Sequence, residues 1–150
     1  VVGAHFLDLF AGTGQVGIEA LSRGAERAIF VEKVNIALRT IRANLRRTDL
    51  EEDGEIVKAD VFDYLRRSPE PFHYIYVAPP QSRGLWKHTL RLLDLAPEWL
   101  TSHGWLTVQI HPKEYEDLVL EHFTLFDQRE YGSVMFCFYE KRLEEEETQS

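Results

Sequence analysis

A chain of 150 residues is the size of one domain and too small for two well-packed cores. Hydrophobic residues at 44% and charged residues at 28% place it among globular chains and outside the disordered and collagen-like classes. The net charge of −8 argues against a broad nucleic-acid-binding surface, which would appear as a basic excess.

Glu144 to Glu147 supply half of that charge and, with the polar end, read as an acidic disordered tail over residues 143–150. No apolar run reaches membrane-spanning length, and no basic flank followed by a small-residue cleavage site opens the chain. A cytoplasmic location is therefore expected. The chain starts without Met and almost directly on a core strand, so it is expected to be the catalytic part of a longer protein.

Phe6 to Phe10 is an apolar run that fits a buried strand of a parallel sheet, and a helical pattern runs from Gly17 to Leu21 before Gly24 stops it. Between them, Gly12 and Gly14 can take backbone angles closed to other residues and let a ligand approach the main chain. The N–H groups of the following helix favour an anionic or polar ligand end. Asp8, inside the apolar strand, needs a partner: loop N–H groups or a cationic ligand group. Gly12, Gly14 and Gly17 also match G-x-G-x-x-G literally, with Glu32 twenty positions after Gly12. A dinucleotide-dependent oxidoreductase and a mere tight turn are the competing readings of those glycines.

Ala28 to Val31 reads as a second buried strand ending in Glu32, where an acidic side chain suits ribose hydroxyls; the plainer reading pairs Glu32 with Lys33 at the surface. The spacing of Ile36, Ile41 and Leu45 predicts a helix from Asn35 to Arg47, whose Arg39, Arg42 and Arg46 share one face, read as solvated with an RNA-facing stripe as the alternative. Glu55 to Ala59 is a third strand. Asp60 follows it, placed to grip a ligand ring together with Val61 or to cap the next helix. Phe72 to Val77 is a fourth strand running into Ala78-Pro79-Pro80-Gln81, where two prolines force the chain off the sheet in a rigid extended segment.

After a loop at Ser82 to Gly84, the leucines from Leu85 to Leu95 make one or two helices. Gly104 to Ile110 is a fifth strand, and Glu114 to His122 a helix. Phe123 to Arg129 and Val134 to Glu140 form an antiparallel pair around Tyr131-Gly132-Ser133. The alternation predicts an α/β doubly wound, Rossmann-like fold: a mostly parallel sheet of seven strands, helices on both faces and a C-terminal antiparallel hairpin. Cys137, flanked by Phe136 and Phe138, reads as a buried strand residue. The six scattered histidines lack metal-ligand spacing, so no metal is expected.

Asp8-Leu9-Phe10-Ala11-Gly12-Thr13-Gly14, then Gly17 to Ala25, then Phe30-Val31-Glu32-Lys33, resembles the RsmD family of bacterial 16S ribosomal RNA guanine-N2 methyltransferases, and the likeness runs from Ala4 to Arg142. The resemblance implies a class I methyltransferase domain over residues 1–142 that uses S-adenosylmethionine and acts on ribosomal RNA or the small ribosomal subunit; a monomer is expected. It implies that Asp8, Phe10, Gly12 and Gly14 hold the methionine part, that Glu32 holds the ribose and that Asp60 and Val61 flank the adenine. Ala11 and Lys33 complete the cofactor-binding set.

Two departures stand against that pattern. Family members usually carry an N-terminal segment with a basic hairpin and a helix, which the chain lacks. The usual Asp/Asn-Pro-Pro-aromatic motif stands as Ala78-Pro79-Pro80-Gln81. In the family's pattern the first side chain and a carbonyl near the first proline accept from the target amine, and the aromatic stacks on the base. Ala78 offers only backbone, so Gln81 is the replacement acceptor, with Tyr76 or Trp86 as replacement rings. Arg83 and Lys87, beside His88 and Arg91, suit phosphate contacts or make an exposed helix face. A cofactor-binding homologue with lost or changed activity is the rival within the same fold.

Overall fold

Strands that are apolar on both sides need cover on both sides, and the chain supplies it by alternating them with helices. The computed structural model describes residues 1–81 and 84–142; Arg83 and the expected acidic tail at 143–150 lie outside the described residues. The elements are β1 (His5–Leu9), α1 (Gln15–Ser22), β2 (Arg27–Glu32), α2 (Asn35–Arg47), β3 (Gly54–Lys58), α3 (Val61–Tyr64), β4 (Phe72–Val77), α4 (Leu85–Leu95), β5 (Leu100–Ile110), β6 (Phe123–Tyr131) and β7 (Val134–Lys141). They form one seven-stranded sheet in the order β3-β2-β1-β4-β5-β7-β6. β1 to β5 pair in parallel, while β7 runs antiparallel to both β5 and β6.

Side chains alternate between the two faces. On one face Leu7, Leu9, Ile29, Val31, Ile75 and Val77 pack with Tyr64, Trp86, Leu90, Leu93 and Trp99 from the layer of α3, α4 and the turn at Pro97–Trp99. On the other, Ala28 and Phe30 pack with Ala20 and Leu21 of α1 and Ile41 and Leu45 of α2. Cys137 is buried within β7.

Two expectations are corrected. The stretch from Glu114 to His122 is not a helix: only a single 3-10 turn at Pro112–Glu114 forms. The Asp94 carboxylate, at the end of α4, accepts the N–H groups of Glu121 and His122 at 2.7 Å each, bonds a helix would have sent to its own carbonyls. β5 also begins earlier than expected, at Leu100, because a register shift against β4 carries the pairing from Phe72–Leu100 to Tyr74–Trp105.

The strand order reverses between β1 and β4. In an open parallel sheet the connections there leave in opposite directions and open a crevice at the carboxyl ends of the strands. The segments after β1, β2, β3 and β4 all border that crevice, which is why residues as far apart in the chain as Phe10 and Leu85 meet.

Candidate active site

The turn after β1 is built from left-handed backbone. Phe10, Gly12 and Gly14 have φ of 62°, 59° and 78°. For glycine this is free; for Phe10 it carries strain of order 1–2 kcal/mol. Bonds to β2 hold the turn: the Ala11 N–H donates to the Val31 carbonyl at 3.0 Å and the Gly12 N–H to Glu32 Oε1 at 2.8 Å. Glu32 Oε2 accepts the N–H groups of Lys33 and Val34 at 3.1 and 3.0 Å. Three of the four acceptor directions of the carboxylate are thus used by backbone, and one on Oε1 is left for a ligand hydroxyl. Lys33 does not pair with Glu32; its Nζ lies 3.6 Å from Asp60 Oδ2.

Asp60 caps α3, its Oδ1 accepting from the N–H groups of Phe62 and Asp63 at 2.8 and 3.3 Å. Oδ2 is thereby left facing Lys33 and the cleft. Asp8 is 2% exposed, behind the glycine turn, and accepts the Gly17 N–H on Oδ2 at 3.2 Å. Burial pushes its carboxyl up to about 8; the Gly17 bond pulls the other way and the nearby Glu32 charge adds to the rise. One N–H bond does not compensate a carboxylate at this depth, so Asp8 is an acid poised to ionise beside a cation.

These parts enclose a cavity of about 340 Å³. Phe10, Gly12, Glu32 and Lys33 line it from the β1 and β2 ends, Asp60 and Val61 from the β3 end, and Ala78, Pro79 and Pro80 from the β4 end. Asp8, Ala11 and Gly14 are not among the residues that line it; Gly14 lies against Ile41 and Phe30. Val31, Val34, Ala59, Phe62 and Leu85 also line it and were missed. All but Leu85, which opens α4, lie at or just after a strand end, a signal the sequence carries at Val34 and Phe62, two positions after the acidic residues. Phe62 packs on the His88 ring, centroids 4.1 Å apart and planes tilted by 36°.

Gln81 is not on this wall. It borders a neighbouring groove of about 550 Å³ with Trp86, Lys87 and Lys113. Neither candidate replacement ring is free: Trp86 is 1% exposed and stacked on Tyr115, and the buried Tyr76 donates its O–H to Gln109 on β5. Lys87 is held by Glu116 at 2.8 Å, which offsets its charge for a phosphate contact. Among the described residues no group of His, Cys, Asp and Glu is arranged to hold a metal ion, and no helix is long and apolar enough to cross a membrane.

A doubly wound sheet of this order, closed by an antiparallel hairpin and cleft at the β1/β4 switch point, is the class I methyltransferase fold. The solved structure "Putative methyltransferase yhhF from Escherichia coli" superposes with a TM-score of 0.86 at 27% identity, covering 95% of this chain and 80% of that one. The family model "Conserved hypothetical protein 95" matches residues 1–140, and the chain belongs to this family, the RsmD-type methyltransferases that its glycine-turn block resembles. It is 32% identical over 149 residues to "Putative rRNA methyltransferase YlbH" of Bacillus subtilis (strain 168), covering 93% of this chain and 77% of the relative. It is 28% identical over 146 residues to "Ribosomal RNA small subunit methyltransferase D" of Escherichia coli (strain K12), covering 97% and 73%.

Proposed function

We propose that the protein transfers the methyl group of S-adenosylmethionine to the exocyclic N2 amine of a guanine in small-subunit ribosomal RNA. The observation that carries this reading is the one cavity onto which the glycine turn, Glu32, Asp60 and the Pro79–Pro80 lip open together. The relatives' names, rRNA methyltransferase and ribosomal RNA small subunit methyltransferase, support the substrate class.

The residues present fit an adenosyl group. Val31, Val61 and Phe62 supply apolar walls for a base ring, and Asp60 Oδ2 is an acceptor for its amine. Glu32 keeps one acceptor direction for a ribose hydroxyl, and Asp8 is the counter-ion for an ammonium at the turn. Bound there, S-adenosylmethionine supplies an electrophilic methyl on a good leaving group, so the protein's task is to orient the attacking nitrogen rather than to act as a strong base. A guanine reaches the rim only when unpaired or flipped from its helix. Carbonyls of the Ala78–Pro79 segment, fixed by the proline rings, accept from the amine and aim its lone pair. In this reading residues 1–142 are the methyltransferase domain, acting as a monomer on RNA or the small subunit in the cytoplasm.

A second reading, a cofactor-binding homologue with lost or changed activity, is favoured by Ala78 and by Gln81 lying on the neighbouring groove. Transfer of labelled methyl to bacterial small-subunit RNA separates the two. The proposal expects label in N2-methylguanosine; cofactor binding without incorporation supports the second reading.

A further inference from the structure

The glycine turn is anchored on two sides, and one anchor comes from α2, an element that contributes no wall to the cavity. From β2, Glu32 holds Gly12. From α2, the Asn44 side chain donates from Nδ2 to the Thr13 carbonyl at 3.0 Å, across thirty-one residues of sequence. The partners fix which way the amide points: its Oδ1 accepts from the Arg47 guanidinium, which can only donate, and its Nδ2 faces a carbonyl, which can only accept.

The bond acts on one peptide plane. The carbonyl of the Thr13–Gly14 peptide accepts from Asn44, and the N–H of the same peptide donates to the Ala11 carbonyl at 2.8 Å. With both ends engaged the plane is held against rotation, although Gly14, whose φ would absorb a flip, is a residue well able to permit one. Ile41, one turn earlier on α2, supports the same plane from below: a Cβ on Gly14 would lie 3.2 Å from its side chain. The orientation matters because this peptide feeds directly into α1. There the Gly17 N–H is taken by Asp8 and the Ile18 N–H by the Gly14 carbonyl, while the N–H groups of Gln15 and Val16 precede any acceptor within the helix.

We propose that Asn44 is a positioning residue for ligand binding: it locks the Thr13–Gly14 peptide so that the turn and the first N–H groups of α1 meet the amino-acid end of the cofactor. This rests on the functional reading above and adds to it a residue outside the cavity. The effect is confined to one end of the ligand, because Asp60, Val61 and Phe62 at the other end are held by α3 and not by α2.

The test compares two ligands on the intact chain by titration calorimetry. S-Adenosylhomocysteine carries the amino-acid end, and 5′-methylthioadenosine has the adenosine end without it. Asn44→Ala removes the side chain. Asn44→Asp keeps the volume and the Arg47 partner but cannot donate to Thr13. Losing one hydrogen bond from the turn predicts affinity for S-adenosylhomocysteine about five- to tenfold weaker in both variants, with methylthioadenosine affinity within about twofold of wild type and cooperative melting retained. Faster hydrogen exchange of the Gly14 amide in the ligand-free variants is the matching expectation without ligand. Unchanged S-adenosylhomocysteine affinity, or an equal loss for both ligands, overturns the inference while leaving the functional reading intact. A wild-type chain that binds neither ligand overturns the functional reading and this inference with it.

Discussion

Gly17 is helical, with no left-handed backbone to explain it, so its reason lies in space. A Cβ there would lie 2.9 Å from Cζ of Phe30, closer still to Cε2, and 3.2 Å from Asp8 Oδ2. Carbon atoms prefer 3.5–4.0 Å. The Phe30 ring is fully buried among Ile41, Leu45 and Ala20 and has nowhere to swing. Helix propensity alone favours Ala over Gly by about 1 kcal/mol, whereas overpacking a closed core costs about 1–3 kcal/mol. So close an approach to an immobile ring puts the overpacking cost at the upper end, about 2–3 kcal/mol, and, less the propensity gain, Gly17→Ala is expected to destabilise by about 1–2 kcal/mol. For a chain of this length that lowers the melting temperature by about 2–8 °C. Thermal unfolding of wild type, Gly17→Ala, Phe30→Leu and the double variant measures it. Shortening the ring should relieve the clash, giving a coupling of at least about 1 kcal/mol in the cycle. A Gly17→Ala protein that melts at or above wild type would refute the packing argument and leave only propensity.

Because burial raises the Asp8 carboxyl to about 8 from the 3.8 of an exposed one, the folded chain retains a proton in that interval that the unfolded chain has released. This group's contribution to stability therefore falls as pH rises from about 4 to about 8, by at most about 1.4 kcal/mol per pH unit, and levels off above. Urea unfolding of wild type and Asp8→Asn at pH 5, 6.5 and 8 should show the slope reduced in the variant; parallel profiles contradict it. Asp60→Ala removes a cap with two N–H partners, so it should cost about 1 kcal/mol by chemical denaturation and weaken adenosine binding as well. Ala78→Asp places an acceptor on the cavity wall beside Pro79. The account expects about tenfold faster methyl transfer with unchanged S-adenosylhomocysteine affinity, measured in single turnover; no gain would mean the amine is not held there.

The elements legible in the sequence were those whose signals are local. α2 and β4 fall where the pattern placed them, Asn35–Arg47 and Phe72–Val77, because a clear apolar period in one and a diproline stop after the other leave little freedom. The rim was legible for a related reason: a glycine turn, Glu32, Asp60 and two prolines each stand at a strand end, and parallel strands put those ends on one side. What could not be read depends on partners distant in the chain. The helix expected at Glu114 to His122 is undone by Asp94 from another element. Gln81 leaves the cavity because the rigid Pro79–Pro80 segment carries it past the lip, and Trp86 is lost as a stacking ring because α4 turns it into the core. The Asn44 bond to Thr13 has no sequence signature at all, since an asparagine on the flank of a helix is ordinarily a solvated residue.

On the reading proposed above, the cavity at the β1/β4 switch point takes an adenosyl ligand through Glu32 and Asp60. Calorimetric titration of the protein with S-adenosylhomocysteine and, separately, with NADH tests it most directly. The account predicts one-to-one binding of S-adenosylhomocysteine, abolished or strongly weakened in Glu32→Ala, and no binding of NADH. Saturable NADH binding with none of S-adenosylhomocysteine, or S-adenosylhomocysteine binding indifferent to both Glu32→Ala and Asp60→Ala, would contradict it.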